Sequence, residues 1–124
     1  QFIQAEPASR VGLTQVLGRM SEISSNSMLL LSLQRALLGE VHASLRQASI
    51  EADPALQMIR LRFEYDGEPS ATAQESCSFA ATEVIADFPA PWQLDEQHLT
   101  VPASDPLSPL SHIAYRRAEG QHAA

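Results

Sequence analysis

At 124 residues the chain is long enough for one domain with a single modest core, and 44 % apolar content is ordinary for a globular protein. No run of about 18 apolar residues is present that could span a membrane. The 15 acidic residues oppose 8 basic ones, all arginine, for a net charge of −7. That charge repels phosphate backbones and anionic lipid, argues against nucleic-acid and membrane partners, and favours basic ones.

Residues 1–19, QFIQAEPASRVGLTQVLGR, lack a basic region followed by an apolar core, so no signal peptide is legible. They read as a leader, an upstream extension or a removable segment, because Gln1 is not a natural start, whereas Met20, followed by SEISSNS, could serve as one. Val11, Leu17 and Met20 could give this segment a short amphipathic helix. The domain proper is expected over residues 20–124. Ser25-Asn26-Ser27 is a capping cluster. Behind it, Leu30, Leu33, Leu37 and Val41 recur at steps of three and four, predicting a helix from about Met28 to about Val41 that Gly39 weakens or ends.

Leu45, Ala48 and Ile50 mark a short strand, and Asp53-Pro54 is a turn signal. The stretch IRLRFEYDGE, residues 59–68, then alternates cleanly. Ile59, Leu61, Phe63 and Tyr65 point one way and Arg60, Arg62, Glu64 and Asp66 the other, as in a half-buried strand closing a hairpin. A second helix follows, capped by Ser70. Ala73, Cys77, Ala80 or Ala81, Val84 and Phe88 form its apolar stripe, and Pro89 and Pro91 end it. Residues 92–101 and 112–117 are two more strands. Between them ASDPLSPLS is a Pro/Ser-rich loop that is either mobile or wrapped around an edge. The tail AEGQHAA frays.

The order α-β-β-α-β-β predicts an α+β fold, with a four-stranded, mostly antiparallel sheet and both helices on one face. The opposite face would stay in water, with Arg60, Arg62 and Glu64 upon it.

Little here points to catalysis. The single cysteine, Cys77, excludes an intramolecular disulfide framework and a multi-cysteine zinc site, and suits a reducing cytoplasm. Its place on the helical stripe makes it a small buried hydrophobe rather than a nucleophile. Glu40-Val41-His42 and Asp95-Glu96-Gln97-His98 are weak as metal or acid–base clusters, and His112 and His122 sit alone. Five scattered glycines form no phosphate loop, so no cofactor or metal is expected. Trp92, Phe79 and Phe88 read as core rather than as a pocket lining. The acids do form a pattern. Glu64, Asp66 and Glu68 close the second strand, Glu75, Glu83 and Asp87 mark the wet side of the second helix, and Asp95 and Glu96 follow on the next strand. Either this is a solvated surface, or Glu64, Asp66, Glu75, Glu83, Asp87, Asp95 and Glu96 form a docking surface for a basic protein.

The segments IRLRFEYDGEPS and ATEVIADFP, with a closing YRR before an acidic residue, resemble small acidic bacterial immunity proteins of contact-dependent growth inhibition and related toxin systems. The resemblance spans about Met28 to Glu119. It departs at the leader and at the longer Pro/Ser loop. It implies a cytoplasmic protein without catalysis that binds a delivered toxin domain, often a nuclease, and covers its active site or substrate groove. A nuclease groove is basic, and an acidic protein can occupy it. Two other readings stand beside this one. The first is a small regulatory or structural module that homodimerises through the sheet face or an edge. The second is a small enzyme using His98 or His42 with nearby acids.

Overall fold

A computed structural model describes residues 26–120. The expected leader, the start of the capping cluster at Ser25, and His122 lie outside these residues. The first helix, α1, covers residues 26–36. It buries Leu29, Leu33 and Ala36, one face at helical spacing, and Leu37 just past its end is buried with them. It stops short of the expected Val41. The Leu38 N–H donates to Arg35 O at 3.2 Å and the Glu40 N–H to Leu37 O at 2.9 Å, tighter turns than an α-helix makes. Gly39 follows at φ +80°, a conformation that carries little penalty only for glycine.

Strand β1 (Leu45–Asp53) pairs antiparallel with β2 (Met58–Tyr65). Their turn is held by Asp53 Oδ1, which accepts from Leu56 N–H at 3.3 Å. Leu45 faces Tyr65 and Gln47 faces Glu64, so Arg46 is the extra residue of a bulge. Helix α2 (Ala71–Ala86) starts as expected, with Ser70 Oγ accepting from Ala73 N–H at 3.0 Å. It buries Ala73, Cys77, Ala80, Ala81 and Val84 and is capped at Asp87, just before Pro89.

The last two strands do not meet. Strand β3 (Gln93–Thr100) lies parallel to β2, making β2-α2-β3 a crossover unit, while β4 (His112–Arg116) pairs antiparallel with β1 at the far edge. The sheet order is β3-β2-β1-β4, so two of the three pairings are antiparallel and the sheet is mixed. Both helices cover one face. Ala48, Ile50, Ile59, Leu61, Phe63 and Tyr65 lie beneath them in one core with the buried residues of α1 and α2.

The route from β3 to β4 corrects two expectations. Residues 101–111 neither move freely nor wrap an edge. They cross the sheet on the face away from the helices, about 14 Å over three strand spacings. Along the way Arg46 donates to the carbonyls of Val101, Pro102 and Asp105, at 2.9, 2.9 and 3.0 Å. Ser108 N–H donates to Glu64, Leu110 N–H to Ser49 Oγ and Ser111 N–H to Glu51. The alternation of β2 is as read from the sequence, but its charged side is only partly open to water: Glu64 is buried, and Arg60, Arg62 and Asp66 are half-buried. The strap bonds Glu64, Arg62, Ser49 and Glu51, and Gln47, Ser49 and Glu64 are fully buried, while Arg60 stays partly exposed among its carboxylates.

Candidate functional site

The strapped face is an interlinked polar layer. Gln47 donates to Glu64 Oε1 at 2.9 Å and accepts from Arg116 Nε at 2.7 Å, while the other Glu64 oxygen takes Ser108 N–H at 2.6 Å. Arg62 reaches Gln97 at 2.9 Å and the Ser108 carbonyl at 2.5 Å. Arg60 stands among Asp53, Glu51 and Asp95 at 3.1, 3.4 and 3.6 Å, and its hydrogen bond to Asp53 leads in raising its already high pKa. Burial pushes the Glu51 carboxyl up, but hydrogen bonds from Ser111 and Arg60 outweigh it and its pKa falls.

Arg46, 4 % exposed, forks onto both Glu119 oxygens at 2.8 Å. That hydrogen bonding holds the Glu119 carboxyl at about 2. Arg117 likewise pairs with Asp66 at 3.0 Å, and its hydrogen bond lowers the Asp66 pKa. Every arginine among the described residues holds an acceptor, Arg35 included, which meets Asp87 at 3.3 Å.

A second polar group lies on the helix side. The Tyr65 hydroxyl is 2.8 Å from His98 Nδ1, and His98 Nε2 is 2.5 Å from Glu96 Oε2. Ser78 donates to the same Glu96 oxygen. The imidazole stacks on Phe63 and Tyr65, at centroid distances of 5.3 and 5.8 Å. Both ring nitrogens are thus engaged, and the group ties α2 to β2 and β3. Burial raises the pKa of the Cys77 thiol and of the Tyr65 hydroxyl, keeping both protonated at neutral pH. Cys77 is 1 % exposed and cannot meet a substrate. His42 bonds Ser76 at 3.0 Å, fastening the turn after α1 to α2. Among the described residues no three histidine, cysteine, aspartate or glutamate side chains converge as metal ligands. A groove lined by Ser32, Arg35, Ala36, Glu83 and Asp87 holds about 240 Å³, below the ~300 Å³ from which small-molecule sites begin. No helix among the described residues is long and apolar enough to cross a membrane.

The outer side of α2 is different. Glu75 and Glu83 are exposed there, and neither they nor Glu68 pair with any described residue. The helix carries no basic residue. Unbalanced negative charge is therefore displayed on the helix layer, while Arg35, Arg46, Arg60 and Arg117 are ion-paired within the fold and Arg62 and Arg116 are held by neutral acceptors.

The seven acids expected to share one surface fall into separate environments. Glu64 is fully buried beneath the strap, and Asp66 is tied to Arg117 and to Ala103 N–H. Asp95 accepts from Gln97 and faces Arg60, whereas Glu96, one residue on, points under α2 to Ser78 and His98. Asp87 accepts from the buried Ser32 hydroxyl at 2.6 Å and from Arg35, fastening α1 to the end of α2. Only Glu75 and Glu83 share an exposed helix face with no partner of their own.

Phe79 was expected in the core, yet it is 60 % exposed between those two carboxylates. The sequence held the signal. Phe79 stands two residues from Cys77, about 200° round the helix and opposite the buried stripe. Phe88 and Trp92 do pack against the core and line a small apolar groove with Met28, Leu29, Ala52 and Ile59.

Comparison with known proteins gives one finding that bears on function. A family model described as MafI2 immunity protein matches residues 26–119, which include both helices and all four strands. No curated protein matches the chain.

Proposed function

The chain belongs to the MafI2 immunity protein family, and from that premise we propose that it neutralises a basic toxin domain, of nuclease type, by binding it in the cytoplasm. Binding alone does the work, and the chain makes or breaks no covalent bond. The observation that carries this reading is the division of charge. The described arginines are all occupied within the fold, and the unpaired carboxylates Glu75 and Glu83 stand on the solvent side of α2. A groove that must hold phosphates is lined by cations, and a rigid display of carboxylates competes for it. The rigidity comes from the core on one side of the sheet and the bonded strap on the other. The toxin would be one delivered by a neighbouring cell through contact, as in the systems the sequence resembles.

Expression of the toxin encoded beside this gene, with and without this chain, tests the proposal. Growth should be rescued only when the chain is present. Undiminished killing, with both proteins confirmed as produced, would overturn it.

A further inference from the structure

We infer that the toxin seats on the outward pole of α2, with Phe79 as the anchor and Glu75 and Glu83 as its charged flanks. This rests on the immunity reading and names the surface that reading leaves open. Glu75, Phe79 and Glu83 recur every four residues and so form one line along the helix, with Thr72, Thr82 and Ala86 beside it. Glu75 and Phe79 lie opposite the stripe of Ala73, Cys77, Ala80, Ala81 and Val84 that the core covers, and Glu83, about 40° further round, stands at the edge of that pole beside the groove it lines with Arg35.

Phe79 is 60 % exposed, although burying a phenylalanine is favourable. No described neighbour covers it, and a helix selected only to roof a sheet gains nothing from an aromatic at its wet pole. Interfaces gain from such a residue, since a rigid aromatic supplies contact area at small entropic cost and concentrates in their energetic centre. The flanks then state the partner's chemistry. Two unpaired carboxylates one turn to either side, on a helix with no base, fit an apolar pocket rimmed by lysine or arginine. A basic, phosphate-binding protein presents such a rim. A second copy of this chain is a poor match, because it too carries a net charge of −7 and four of its six described arginines are ion-paired within its own fold.

The test is binding of the purified chain to the neighbouring toxin domain, held inactive by mutation and measured by calorimetry and stopped flow. Phe79→Ala should weaken the complex by about 30-fold or more, with the thermal unfolding curve of the free chain unchanged. Glu75→Gln with Glu83→Gln should slow association at low salt and leave dissociation nearly unaltered. Leu56→Ala, at the equally exposed β1–β2 tip (62 %), should bind like the unaltered chain. If Phe79→Ala binds within about twofold of a tightly binding unaltered chain, this surface is wrong and the immunity reading survives. If the unaltered chain itself neither binds nor protects, the immunity reading falls and this surface falls with it.

Discussion

Replacing Arg46 with methionine should release the strap. The guanidinium makes five hydrogen bonds, two to the Glu119 carboxylate and three to the carbonyls of Val101, Pro102 and Asp105, and the residue is 4 % exposed. Hydrogen bonds to a charged group contribute about 1.5–3 kcal/mol each in mutational series, but the five do not add. The released strap carbonyls and Glu119 lie near the surface, where water can replace part of what they lose. Methionine also keeps much of the apolar volume along the bulge. The remaining loss should be about 3–5 kcal/mol, the range seen when one partner of a buried ionic group is removed. For a domain of this size it corresponds to a fall in Tm of roughly 12–20 °C. Urea unfolding followed by Trp92 fluorescence would measure it. Arg46→Lys should recover less than half, because a single ammonium cannot span a carboxylate and three carbonyls together. A loss below about 1 kcal/mol for the methionine variant would show that the strap is held by other means, and that Arg46 is not its clamp.

Acid should weaken the same region. The folded-state pKa values of Glu119, Asp66 and Glu51 are depressed, to about 2 for Glu119, so their pairing stabilises the fold above their unfolded values and is lost as pH falls. The urea midpoint should be level near neutrality and drop between the ordinary Glu value of 4.5 and about 2, and a flat profile there would remove these carboxylates from the account. Ser70→Ala takes away the cap of α2 and should cost about 1 kcal/mol in denaturant melts, with no change in the core. Tyr65→Phe leaves His98 Nδ1 without its partner and should cost about 1–2 kcal/mol, read from the same melts.

What the sequence disclosed followed from local physics. The Ser70 cap, the α2 stripe and the alternation of β2 depend on neighbours three or four residues away, or on every second residue, and all are present as read. The strap was illegible because its partners are distant. Arg46 meets Val101 and Glu119, and Glu64 meets Ser108, contacts no periodicity announces. A Pro/Ser-rich run reads as loose until a face of matched donors and acceptors is found beneath it. The same limit scattered the acidic surface. Glu64 and Glu96 look as exposed in the sequence as Glu75 and Glu83, and only the fold puts one beneath the strap and the other beside His98. It also alters what can be asked of Asp87. Reversing its charge would loosen α1 through Ser32 and Arg35, so an effect on binding there would not report on a docking surface.

Association of the unaltered chain with the adjacent toxin domain, timed by stopped flow across a salt series, bears most directly on function. Carboxylates that steer the chain into a cationic groove predict a stable complex whose association rate falls steeply, by tenfold or more, between about 20 and 300 mM salt. A rate indifferent to salt, or no complex at any ionic strength, would contradict an immunity protein that acts by displaying negative charge.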